Sequence, residues 1–207
     1  MMTEWSQELI KLVAWGIAAA WCVRATDLVM NLPVMPDLSG MEWDIAPKGE
    51  PSLVVVVPAR DEAKHIAATL DALLMADYRN LLIVAVNDRS TDATGEILDE
   101  YAGIYAERVK AIHVAELEDG WLGKTFAMQL AVEQTSSDYI LFTDADVLFS
   151  PSILRRALAY AEQTEAAHLV VMPTMQVEKR GEGIVLGFFQ ILGMWAARPW
   201  RVPDPKA

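Results

Sequence analysis

The sequence predicts an α/β fold, a mostly parallel sheet with helices on both faces. Three observations carry this expectation. Runs dense in branched aliphatic residues recur at 53–57, 81–86, 109–114, 139–142 and 169–172. Between them lie segments whose apolar residues have helical spacing. The runs are continuously apolar rather than alternating, which marks strands covered on both faces.

The elements follow in order. Residues 1–32 form a hydrophobic, membrane-seeking helix, apolar over 9–23 except for Lys11 and punctuated by Trp5, Trp15 and Trp21. The clean run falls short of the roughly 20 residues that span a bilayer. Lys11 can snorkel, and tryptophans suit an interface. No A-x-A cleavage site closes the run, so it reads as an uncleaved anchor, spanning marginally or re-entrant; the competing reading is a helix packed on the domain. Pro33 and Pro36 stop it, and 33–50 reads as a linker rich in proline and acidic residues. In the domain at 51–180, Leu53 to Val57 ends at Pro58 as the first strand. Ile66, Leu70, Leu73 and Leu74 then share one helical face. Residues 81–86 are the second strand. Thr91-Asp92 caps a helix with Ile97, Tyr101, Ile104 and Tyr105 inward. The third strand is 109–114, a helix covers 124–134, and the fourth strand is 139–142. Pro151 opens a helix burying Leu154, Ala157, Leu158 and Ala161, and 169–172 is the fifth strand. Residues 181–207 read as an apolar, interfacial helix and a truncated tail.

Composition narrows the function. Of 207 residues 53% are hydrophobic, and 17 basic against 29 acidic residues give a net charge of −12. Such a surface repels phosphate backbones, so nucleic acid is excluded as a partner. An anionic small molecule would need a cation to screen it, which suits a site recruiting a divalent metal. The single cysteine, Cys22, rules out an intrachain disulfide. His65, His113 and His168 show no zinc-ligand spacing.

In such a sheet ligands sit beyond the carboxyl ends of the strands. The first strand ends in Pro58-Ala59-Arg60-Asp61-Glu62, the second in Asn87-Asp88-Arg89-Ser90-Thr91-Asp92 and the fourth in Asp144-Ala145-Asp146. Asp and Asn singly favour caps and turns. Three clusters on one rim call for a cation or a polar ligand. In an extended stretch Asp144 and Asp146 point the same way and can face one Mg2+ or Mn2+ ion. Gly123-Lys124-Thr125 is not a P-loop, because Glu118 stands where that motif needs glycine. Lys124 at a helix start still suits a phosphate.

Taken in order, V-V-P-A-R-D-E, V-N-D-R-S-T-D, G-K-T and T-D-A-D resemble glycosyltransferase family 2 with its GT-A fold, over about 51–173. The resemblance implies a nucleotide-diphosphate sugar as donor (a UDP-sugar first, a GDP-sugar second) and Mg2+ or Mn2+ at the D-x-D. It implies that Pro58, Ala59, Arg60 and Glu62 line the nucleobase pocket and that Asp88 meets the uracil or ribose region. Lys124 would lie near the sugar or phosphates, with Asp144 and Asp146 at ribose and metal. The reaction implied is inverting transfer to an acceptor hydroxyl. With its N-terminal helix the chain also looks like bacterial membrane-associated members acting on lipid acceptors, including those called hopene-associated, with the domain on the cytoplasmic side of the inner membrane.

The chain departs from the family after Pro173. Neither Glu178 nor Glu182 sits in a context resembling the family's base, and the Q-x-x-R-W of processive members is absent, so no residue is named as catalytic base. Two alternatives stand beside the transferase. One is a non-catalytic, membrane-associated nucleotide-binding module. The other is a sugar-phosphate nucleotidyltransferase, which would want a glycine-rich basic loop where Ala59-Arg60-Asp61-Glu62 stands.

Overall fold

The structure, a computed structural model, describes residues 4–177 and 179–202. Its helices are α1 (Glu4–Asn31), α2 (Ile66–Leu74), α3 (Thr94–Ile104), α4 (Gly123–Glu133), α5 (Ile153–Gln163) and α6 (Arg180–Ala197). Its strands are β1 (Leu53–Ala59), β2 (Leu81–Asp88), β3 (Val109–Val114) and β4 (Tyr139–Phe142). They form two compact units, Leu38–Pro173 and the described parts of Met1–Asp37 with Thr174–Ala207.

In the larger unit the four strands make one parallel sheet in the order β3-β2-β1-β4. Val55 lies beside Ile83 on one side and Leu141 on the other. Successive residues of β1 and β2 serve opposite faces. Val55, Val57 and Ile83 pack with Ile66, Leu70 and Leu73 of α2, Leu98 of α3, and Leu154 and Leu158 of α5. Val54, Val56, Val84 and Val86 pack with Ala127 and Ala131 of α4. Two covered faces are why these strands read as unbroken aliphatic runs. The α/β fold expected from the sequence is the one observed.

Two local expectations fail. Residues 169–172 form no strand, and Val170 is 71% exposed. Branched aliphatic residues fit a pleated, partnered surface but do not create one, and β4 pairs with β1 alone among the described residues. On α3 the buried residues are Thr94 and Leu98, whereas Ile104 and Tyr105 are exposed. Ile97 and Tyr101 do pack against the core as expected, so the inward face holds for those two residues and fails for Ile104 and Tyr105.

Residues 38–50 are strapped onto α5. Arg156 Nη1 donates to the carbonyls of Leu38, Ser39 and Gly40 at 3.1, 2.7 and 3.1 Å. Arg155 reaches Asp44 at 2.6 Å and Asp77 at 3.0 Å, and Trp43 meets Tyr160 edge-on. The Arg155 hydrogen bond and the neighbouring Arg156 charge hold the Asp44 carboxyl below its ordinary value. Asp92 and Asp138 are lowered as well, by bonds from Thr94 and from Ser52 respectively. A carboxyl depressed by folding adds stability above its unfolded pKa and loses it as pH falls through the folded value. The melting temperature should therefore hold steady above the ordinary value of 3.8 and drop below it. Asp44→Asn should lower the melting temperature near neutrality and flatten the acid limb; an unchanged limb would remove the strap from the explanation.

In the smaller unit Trp21 of α1 stacks on Trp195 of α6 with centroids 5.3 Å apart, and Arg24 lies over the same ring. Residues 5–31 of α1 are long and apolar enough to cross a membrane, and none of that stretch is buried. Lys11 pairs with Glu8 at 2.8 Å, so the charge within the apolar run is matched one turn away. Helix α6 exposes Ile184, Val185, Phe188, Phe189 and Ile191. Its first turn carries Glu182, while Glu178 and residues 203–207 lie outside the described residues.

Candidate functional site

The carboxyl ends of β2, β1 and β4 lie side by side. Ala59 is in register with Asn87, and β4 extends past its last pair as Thr143 N–H donates to Val56 O at 3.1 Å. The loops leaving β1 and β2 are laced together. Asp61 N–H donates to Ser90 Oγ at 3.0 Å, and Asp61 Oδ1 accepts the Thr91 N–H at 2.7 Å. Glu62 N–H donates to Thr94 Oγ1 at 2.8 Å, and Ala63 N–H to Asp92 Oδ2 at 3.1 Å. Asp92 Oδ1 also accepts the Thr94 N–H, so it caps α3 from two residues before the first helical one. Asp61 and Arg89 both have φ of 56°, left-handed conformations that L-residues adopt at a cost and that this lacing imposes.

The first turn of α4 meets two of the acidic residues. Asp88 is only 4% exposed, and Arg89 Nε donates to its Oδ1 at 2.8 Å. The other oxygen lies against Gly123, so close that a Cβ there would collide with it. One residue on, Lys124 Nζ bonds Asp144 Oδ1. Asp88 and Asp144, 56 positions apart in sequence, thus meet neighbouring residues of a single helical turn.

Strand β4 ends at Phe142, and Ala145 and Asp146 form a turn rather than extended chain. The outcome for the carboxylates resembles that of a strand. Ala145 is buried while Asp144 and Asp146 stay exposed. The turn is anchored from below, where Thr69 of α2, fully buried, donates from Oγ1 to Ala145 O at 2.8 Å. Two exposed carboxylates suit Mg2+ or Mn2+, which take oxygen ligands and rely on water and substrate phosphates for the remainder. They do not make a closed cage, and among the described residues no group of three or more His, Cys, Asp or Glu does.

Of the residues named from sequence, the structure brings Asp88, Lys124 and Asp144 together on the start of α4, with Asp146 two residues on. Pro58 and Ala59 lie at the end of β1, and the Ala59 side chain is buried. Arg60 is exposed in the laced loop. The Glu62 carboxylate faces His65 at 3.1 Å, and the Glu62 carbonyl accepts the first amides of α2. Thr69, Thr94 and Gly123 were missed as site residues. A threonine on the aliphatic face of Ile66, Leu70 and Leu73 was the one available signal for Thr69.

Comparisons with known proteins bear on the family and the fold. The model of the family described as Glycosyl transferase family 2 matches residues 54–192. The chain is 32% identical over 132 residues to the 4,4'-diaponeurosporenoate glycosyltransferase of Staphylococcus haemolyticus, covering 62% of this chain and 33% of that protein. It is 33% identical over 94 residues to glycosyltransferase GlyA of Streptococcus pneumoniae, covering 45% of this chain and 13% of that one. The chain thus spans a third or less of the length of these two relatives. Among solved structures, mannosyltransferase PcManGT from Pyrobaculum calidifontis, in complex with GDP-Man and Mn2+, aligns with a TM-score of 0.56 at 23% identity. That alignment covers 85% of this chain and 48% of the other, and the likeness is one of fold. With the family model matching well over half of its residues, the chain belongs to glycosyl transferase family 2.

Proposed function

We propose that this chain binds the donor of a glycosyl transfer, a nucleotide-diphosphate sugar, and works as the donor half of a membrane-associated glycosyltransferase. The observation that carries the reading is the meeting of Asp88 and Asp144 on the first turn of α4. The nucleoside lies over Pro58, Ala59, Arg60 and Glu62, with Asp88 accepting hydrogen bonds from base or ribose. Lys124 and the free amides of the α4 N-terminus face the diphosphate, where a positive side chain and a helix dipole favour negative charge. Asp144 and Asp146 would hold Mg2+ or Mn2+, which when bound offsets charge on the departing diphosphate. Lys124 then exchanges its bond to Asp144 for a phosphate oxygen. In an inverting reaction the acceptor hydroxyl attacks the anomeric carbon opposite that leaving group, and its proton passes to a carboxylate base. A lipid acceptor agrees with α1, which would seat the domain at the cytoplasmic face of a membrane.

Calorimetric titration of the full chain in detergent with UDP and with GDP, with and without Mn2+, tests the reading. Metal-dependent binding of one nucleotide is expected. Asp144→Ala with Asp146→Ala should weaken it at least tenfold, in line with the roughly 10- to 100-fold losses seen when metal sites are disturbed. A folded chain that binds neither nucleotide would overturn the donor assignment. Metal-independent binding that survives both substitutions would move the metal away from the D-x-D.

A further inference from the structure

We infer that His113, on a strand that contributes nothing else to the site, positions the loop carrying Asp88 and does so only as the neutral imidazole. Its link to nucleotide affinity rests on the donor-site reading above. His113 is in register with Asn87, the residue before Asp88. Asn87 Nδ2 lies 3.1 Å from His113 Nδ1, and His113 Nε2 lies 2.9 Å from Asp99 Oδ1 of α3. On its other side Asn87 Oδ1 accepts the Ser90 N–H at 3.0 Å. Ser90 Oγ in turn accepts the Asp61 N–H, so the chain of bonds runs from α3 to the lacing of the two loops.

Each donor and acceptor in this chain is determined by one backbone amide. Ser90 N–H can only donate, so the atom of Asn87 facing it is the oxygen and the atom facing the ring is the NH2. That NH2 donates, so Nδ1 must be the bare nitrogen and Nε2 must carry the hydrogen given to Asp99. A second proton, on Nδ1, would set two donors against each other. Asn87 must then swing away or turn over, and turning over points its NH2 at the Ser90 N–H. Asn87 Nδ2 already sits close to α3, where a Cβ added at Gly95 would stand 2.8 Å from it.

Among the described residues, β2 and α3 face the ring. From β2 comes the uncharged Asn87, which accepts only the neutral form. From α3 comes the Asp99 carboxylate, exposed to solvent, which accepts from either form. A histidine gains that second proton on acidification, and the conflict arises when His113 does so. Ser90 and the turn that follows Asp88 then lose their tether.

The test uses the full chain in detergent, as native protein and as His113→Gln and His113→Lys. Glutamine accepts from Asn87 with its oxygen and donates to Asp99 with its NH2, without taking up a proton; lysine only donates. The Ser90 amide resonance is followed without nucleotide, and the affinity for UDP with Mn2+ is measured, each from about pH 8 to about pH 5. In the native chain the Ser90 resonance should titrate in one step, and affinity should fall about five- to tenfold on the same step, the worth of one hydrogen bond. His113→Gln should keep the affinity found near neutrality and lose both steps. His113→Lys should be weak throughout. UDP and the metal titrate alike in every protein, so the difference between variants belongs to His113. A Ser90 resonance that titrates in His113→Gln as in the native chain would overturn the inference. If that resonance responds as expected and no nucleotide binds at any pH, the relay stands and the donor-site reading falls.

Discussion

Gly123→Ala is expected to weaken nucleotide binding by about ten- to a hundredfold, while Gly103→Ala leaves it unchanged. A hydrogen bond to a charged group is worth about 1.5–3 kcal/mol, and such a loss corresponds to that range of affinity. Gly123 has an ordinary helical backbone, so alanine meets no φ restriction there. What it meets is Asp88. The new Cβ would collide with one carboxylate oxygen and stand 2.9 Å from Arg89 Nη2. Asp88 is buried and held on its other oxygen by Arg89, so it cannot turn aside without breaking that bond. Either the carboxylate moves or α4 withdraws, and withdrawal carries Lys124 away from Asp144. Gly103, on α3, has nothing within 4 Å of its Cβ position, so the same substitution there gains helix propensity of up to about 1 kcal/mol. Titration of both variants with UDP and Mn2+, beside thermal melts, checks the pair. Binding by Gly123→Ala as tight as the native chain's would show that the approach of α4 to Asp88 has no part in recognition.

The contrast between these glycines illustrates what sequence conveys and what it withholds. The β1 and β2 runs announced a sheet covered on both faces, because only such strands need every residue apolar. The rim followed from the fold, since loops after parallel strands share one edge. Asp88 and Asp144 stood out because acidic residues at the ends of several apolar strands gather on one rim, and Lys124 because it opens a helix. Their mutual arrangement was not legible. Nothing in Gly123 as a letter tells a close approach from an ordinary helix start, and Gly103 looks the same. The 169–172 run read as a strand from its residue types, yet a strand exists only with a neighbour to pair with. The pairing of Asn87 with His113 was invisible for a related reason. Their partnership depends on register between β2 and β3, a property of two strands together. The straps from Arg155 and Arg156 likewise join residues more than 100 positions apart, a separation at which no pattern in the sequence survives.

Thr69→Val and Thr69→Ser should separate fold from site at the D-x-D turn. Valine keeps the shape of threonine and removes the donor to Ala145 O, leaving a buried carbonyl without that partner at a cost of about 1–3 kcal/mol. Serine keeps the hydroxyl and removes a methyl from a fully packed position, which costs on the order of 1 kcal/mol. The two variants should thus lose comparable stability for opposite reasons. Their ligand behaviour should diverge. Ala145 lies between the two carboxylates, and its carbonyl is tied to α2 across 76 residues of sequence. Released from that tie in Thr69→Val, the turn carrying Asp144 and Asp146 loses its anchor on α2. With Asp144 and Asp146 holding the metal as proposed, affinity for UDP should then fall about tenfold with Mn2+ present, the consequence of losing one bond behind a proposed metal ligand. Without Mn2+ it should hardly change. Thr69→Ser should bind as the native chain does in both conditions. Thermal melts and calorimetry on the same samples supply the comparison. Equal loss of metal-dependent binding in both variants would mean that stability alone, and not the tether, governs the turn. Full retention in Thr69→Val would mean that the D-x-D holds its geometry without help from α2.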